Sequence, residues 1–186
     1  RLMTTIHYFA YGSNMLHERL RARVSTAIPL AVGAVHDHRI DFAKISVDGS
    51  GKCDLVPSPG SEVWGVLYAI DAAQQSDLDA HEGAHYVPNE IDVSLSTGSQ
   101  TALTYQAKSG TRDRARVPYD WYLALVIAGA RQNVLPETYV RALESTAFDL
   151  DLKEDRITRQ EALEALSGAG MTQVLEDLRK RMALVT

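Results

Sequence analysis

The apolar positions of this chain change period part-way along it. Up to Ala107 they fall mostly into short β-branched and aromatic runs bounded by Gly, Pro, Ser and Asn. Beyond Pro118 they recur at helical spacing. Residues 4–10 read as a buried strand that ends at Tyr11-Gly12-Ser13-Asn14, a turn able to cap a short helix over Asn14 to Leu20. Leu30 to Val35, Ile40 to Val47 and Glu62 to Ile70 read as strands, separated by turns at Asp48-Gly49-Ser50-Gly51 and Pro57-Ser58-Pro59-Gly60. Asp71 to His81 has helical spacing and stops near Gly83. Tyr86 to Leu95 and Thr101 to Ala107 alternate apolar with polar and predict a hairpin turning at Thr97-Gly98-Ser99. Helices follow over Tyr119 to Ala130, from Pro136 to Thr146, and, amphipathically, over Thr158 to Ala165 and Met171 to Leu184. Strands first and helices afterwards predict an α+β domain over residues 1–149 with a helical C-terminal extension over 150–186.

Composition narrows the class without naming a function. The chain has 186 residues, 45% of them apolar and 23% charged, enough for a sizeable core. Lys and Arg total 19 against 24 Asp and Glu, a net charge of −5, so no broad basic field favours nucleic acid or an anionic membrane. The longest uninterrupted apolar run, Trp121 to Ala128, is eight residues, well short of the ~20 that span a bilayer. No secretory signal opens the chain; Met3-Thr4 reads as a natural start, with Arg1 and Leu2 as additions before it. Cys53 is the single cysteine, so no intrachain disulfide forms, which fits a reducing cytoplasm.

Two segments carry candidate chemistry. His81-Glu82-Gly83-Ala84-His85 satisfies H-E-x-x-H, in which histidines on one helix face hold zinc and Glu activates water. Gly83 inside the motif and Pro88 beyond it argue against a continuous helix, so a zinc hydrolase is the alternative reading. Glu82 has its own interest. Gly83 allows a sharp turn beside it, and Asp79 one turn upstream would raise its proton affinity if both faced a pocket. A carboxylate placed so can act as general base; otherwise it is a solvated glutamate at a helix end. The second segment is Tyr8-Phe9-Ala10-Tyr11-Gly12-Ser13-Asn14, where successive backbone N–H groups can hold a carboxylate or oxyanion, or where Ser13 and Asn14 simply cap a helix. Ser13 lacks the second glycine of the hydrolase nucleophile elbow G-x-S-x-G.

Weaker signals have plain readings. Gly49-Ser50-Gly51-Lys52-Cys53 imitates a phosphate-binding loop but has Ser46 for its first glycine and Cys53 for Ser/Thr. His36 and His38 share one strand face, where they could bind metal but read first as a plain surface pair. Cys53 reads as a small buried hydrophobe. Arg112, Arg114 and Arg116 form a solvated loop or a basic lip that attracts an anionic substrate.

Taken together the motifs resemble the γ-glutamylcyclotransferase family. The resemblance begins at Tyr8 to Met15 and continues through Pro57 to Tyr68 and Leu78-Asp79-Ala80-His81-Glu82-Gly83. It closes with Tyr122, Gly129-Ala130 and Leu135-Pro136-Glu137-Thr138-Tyr139, leaving the tail after Asp149 outside. It implies a mixed sheet closed into a small β-barrel with surrounding helices. It also implies that Glu82 is the catalytic carboxylate and that Tyr8, Phe9, Ala10, Tyr11, Gly12, Ser13, Asn14, Tyr86 and Tyr122 bind substrate. In that chemistry the substrate's own α-amine attacks its γ-carbonyl and releases 5-oxoproline, with no cofactor and no metal. The implied partner is a small γ-glutamyl molecule whose leaving group the sequence does not identify. A non-catalytic γ-glutamyl-binding module on the same fold is the remaining alternative. The helical tail could pack on the barrel, cover the pocket or form a homodimer contact.

Overall fold

The computed structural model describes residues 4–184, so Arg1, Leu2 and the start assigned to Met3 lie outside the described residues. Five strands close into a barrel: β1 (Thr5–Ala10), β2 (Ile28–Ile45), β3 (Gly51–Asp71), β4 (Tyr86–Leu95) and β5 (Gly98–Ala107), in the order β1-β3-β2-β4-β5. The ring is mixed. β1 runs antiparallel to β3, from Thr5 opposite Asp71 to Ala10 opposite Val66, and meets β5 in parallel at Tyr8 and Leu103.

The long β2–β3 hairpin differs from the sequence expectation. Two strands predicted over Leu30 to Val35 and Ile40 to Val47 are one strand, and Pro57 to Gly60 lies inside β3 instead of ending it. The ladder slips between His36 and His38, where Asp37 takes φ 56° opposite Gly60 at φ 77°. The Asp37 carboxylate accepts the Gly60 N–H at 2.9 Å, Pro59 sits where the pairing is broken, and Pro57 stands at the edge of the break, opposite His38. Turn chemistry here builds a bulge. His36 and His38 are therefore not a regular same-face pair. His36 lies 3.5 Å from Glu62, and the His38 ring bonds the His36 carbonyl.

The predicted helix over Asn14 to Leu20 is also divided. A 3-10 turn, Ser13–Met15, is followed by extended Leu16 and then α1 (His17–Arg23), and neither start has a side-chain cap. α2 (Gln75–Glu82) stops at Gly83, whose φ of 79° is a backbone conformation that glycine adopts without strain. α3 (Asp120–Gln132) is buried from Asp120 through Ala130 and forms the centre of the helical layer. At Gly129 a Cβ would stand 2.6 Å from the Leu16 nitrogen and from Met15 Cβ, so only glycine lets α3 press on the turn that follows β1.

α4 (Glu137–Glu144), α5 (Ile157–Gly168) and α6 (Thr172–Ala183) pack on α3, and α5 also packs on α1. The tail closes on α3 through buried carboxylates. Arg179 Nε donates to Asp120 at 2.8 Å, while Trp121 Nε1 and Arg156 Nε donate to Asp151 at 2.9 and 2.6 Å.

Candidate active site

Two connected spaces lie between the barrel and the helical layer. A small recess of about 30 Å³ opens into a cleft of about 620 Å³, and Ser13, Glu82, Tyr86 and Tyr122 line both. The end of β1 and the turn after it supply Tyr8, Tyr11, Gly12, Ser13 and Asn14 to the recess. Phe9 and Ala10, expected at the substrate site, do not line it: alternation along β1 sends the Phe9 side chain into the core, 6.5 Å from the Tyr11 ring. Cys53 and Tyr105 line it instead.

Glu82 is the last residue of α2, set at the recess by the reversal at Gly83. Its Oε1 accepts Asn14 Nδ2 at 2.8 Å, and the same amide lies 3.1 Å from the Tyr8 hydroxyl. Arg23 donates to Asn14 Oδ1 at 3.2 Å. A guanidinium has no acceptor, so it fixes the amide with oxygen toward Arg23 and nitrogen toward Glu82. Asn14 therefore holds the carboxyl and does not cap a helix.

Burial pushes the Glu82 pKa up, while Arg23, Lys44, Arg19 and the Asn14 hydrogen bond pull it partly back. The cause expected from sequence was Asp79. That carboxylate instead accepts the Tyr105 hydroxyl, so desolvation raises Glu82.

Three of the recess tyrosines are held by backbone groups. Tyr11 donates to the Tyr105 carbonyl and Tyr86 to the Cys53 carbonyl, and the Tyr122 oxygen accepts the Cys53 N–H at 3.0 Å. Burial raises the pKa of Tyr8, Tyr11, Tyr86 and Tyr122, which keeps them neutral at physiological pH. Burial also pushes the Cys53 thiol up to about 12, which disqualifies it as a thiolate nucleophile. The Ser13 hydroxyl has no hydrogen-bond partner among the described residues, hence no adjacent base to activate it.

The cleft wall is basic: Arg19 and Arg23 from α1, Lys44 from β2 and Lys52 from β3. Lys52 Nζ sits 4.3 Å over the Trp121 ring and 4.4 Å over that of Tyr122. The false phosphate-loop pattern thus contains a cleft residue, Lys52, and a recess residue, Cys53. The arginines expected as a lip are elsewhere. Arg112 pairs with buried Asp54 and Arg116 with Asp113, and neither lines the recess or the cleft.

The H-E-x-x-H pattern does not form its helical face. Gly83 ends α2 between the histidines, and the His85 ring lies 3.4 Å from the Ile45 carbonyl. Among the described residues no group of three or more His, Cys, Asp or Glu is placed to hold a metal.

The AIG2-like family matches residues 62–143, which span β3 through α4. Over 147 residues the chain is 35% identical to a gamma-glutamylcyclotransferase of Bos taurus, covering 74% of this chain and 77% of that protein. The chain belongs to the γ-glutamylcyclotransferase family. The Homo sapiens gamma-glutamylcyclotransferase is 30% identical over 179 residues, covering 90% of each chain. That alignment cannot stop at Asp149, so similarity to the family enters the helical tail, which the sequence motifs left outside. A solved gamma-glutamyl cyclotransferase superposes with a TM-score of 0.78 at 26% identity, covering 87% of this chain and 99% of that one. The barrel and its helices are therefore the fold of this enzyme family. No helix among the described residues is long and apolar enough to cross a membrane.

Proposed function

We propose that this protein is a γ-glutamylcyclotransferase in which Glu82 is the general acid and base. A γ-glutamyl amide carries its own nucleophile, so the enzyme has to fold the substrate and manage the protons of its α-ammonium. Glu82 takes the first of them, and the freed amine attacks the γ-carbonyl to close a five-membered ring. The ring C–N bond forms, the original amide C–N bond breaks, Glu82 returns the first proton to the departing nitrogen, and the second proton shed by the new ring nitrogen follows it, so that the leaving group departs as an ammonium. The products are 5-oxoproline and a free amine.

One observation carries this reading. A half-buried carboxyl with a raised pKa, oriented by Asn14, stands where the recess meets the cleft. In this reading the γ-glutamyl half enters past Ser13 and Tyr122, Ser13 and the turn N–H groups meet its charged or reacting oxygens, and the amine half stays in the cleft. The single cysteine, buried and unpaired in a disulfide, supports a cytoplasmic setting.

The test is 5-oxoproline release from a panel of γ-glutamyl compounds. The parent protein is expected to turn over at least one of them, and Glu82→Gln to lose about 10²-fold or more of that activity. Glu82→Gln with most of the activity retained would remove Glu82 from this role.

A further inference from the structure

The cleft wall holds more positive charge than its own carboxylates answer. Lys52 Nζ lies 3.2 Å from Asp48, and Arg156 is taken by Asp151 at 2.6 Å. Arg19 has Glu161 at 3.8 Å, and its Nε is buried without a partner. Among the described residues Arg23 reaches only the neutral Asn14 oxygen.

Lys44 is the sharpest case. Its residue is 7% exposed, it lines the cleft, and its ammonium makes no hydrogen bond and no ion pair among the described residues. That ammonium stands over the Tyr86 ring, 4.5 Å from the centroid. The stem of Lys44 is buried but its ammonium opens on the cleft, where a water or a bound ligand must supply its acceptor. Tyr86 also lines the recess, so this charge faces the passage between the two spaces. Burial lowers the Lys44 pKa, and the nearby Glu82 and Asp48 carboxylates hold it up.

Resting on the cyclotransferase reading above, we propose that Lys44 is a specificity-determining residue whose ammonium receives a carboxylate on the leaving half of the substrate. Lys44 is then the residue that sets how strongly the cleft favours conjugates of carboxylate-bearing amines over conjugates of neutral or cationic amines. Arg19 and Arg23 on the facing helix add to the positive field without being the contact.

The experiment compares γ-glutamyl-alanine with γ-glutamyl-ethylamide, which differ only by the carboxylate on the leaving amine. 5-Oxoproline release gives kcat/KM for each, in the parent protein, Lys44→Gln and Lys44→Arg. The parent is expected to prefer γ-glutamyl-alanine by about tenfold or more. Lys44→Gln should collapse that preference about tenfold, and Lys44→Arg should keep most of it. A parent ratio near one, or the same ratio in the parent and Lys44→Gln, would overturn the subsite. If Lys44→Gln does not fold, the parent ratio and the Lys44→Arg ratio still decide the matter. Release of 5-oxoproline from no γ-glutamyl compound by the parent protein is a different failure, that of the cyclotransferase reading itself.

Discussion

Glu82, the proposed general base, is a carboxyl that folding disfavours in its ionised form. Burial holds its pKa above the ordinary glutamate range, so its stabilising contribution is present below the unfolded pKa and lost as pH rises through the folded one. At neutral pH the ionised group costs stability. Glu82→Gln is therefore expected to melt at the same or a higher temperature than the parent while losing activity, and a Tm lower by several degrees would contradict this account. Arg23 is the strongest of the cations that oppose the upward shift. Arg23→Gln keeps a donor for Asn14 but removes the charge, so the acidic limb of the kcat/KM profile should move to higher pH. A limb that stays in place would show that Arg23 does not influence the base. The place of Glu82 at a helix end was legible in the sequence because a helical pattern stops there at a glycine. The role of Asn14 was not, because Asn before a helix reads as a cap and its partner lies 68 residues away.

At the scale of elements, the site depends on how closely α3 approaches the turn after β1. Gly129→Ala would place a Cβ 2.6 Å from the Leu16 nitrogen. The expected cost is about 1–3 kcal/mol, read as a Tm lower by several degrees, together with lost activity as the turn carrying Ser13 and Asn14 shifts. An unchanged melting curve would mean that the packing here is looser than described. Strand and helix types were legible from period alone, yet Pro57 to Gly60 was misread as a turn. A bulge and a turn use the same residues: a glycine at positive φ and prolines that donate no hydrogen bond. Only the pairing of Asp37 with Gly60, 23 residues away, distinguishes them. Lys44 and Lys52 were invisible as a pair for a similar reason, since they face each other only once the hairpin register is known.

At the scale of the whole molecule, the tail is part of the fold that holds the site. Ala162, Leu166, Val174, Leu175 and Leu178 are buried, and Arg179 neutralises Asp120 at the head of α3. Their burial contributes on the order of 10 kcal/mol, comparable with the whole stability of a small domain. Removal of residues 150–186 is accordingly expected to abolish a cooperative melt, and a truncated chain that melts cooperatively near the parent temperature would make the tail an independent appendage. The central claim is that the substrate's own amine, and not water, attacks the γ-carbonyl. The direct measurement is mass spectrometry of the products formed from a γ-glutamyl amide in water enriched in oxygen-18. The account predicts unlabelled 5-oxoproline and no glutamate, whereas glutamate carrying oxygen-18 would make the protein a hydrolase and contradict it.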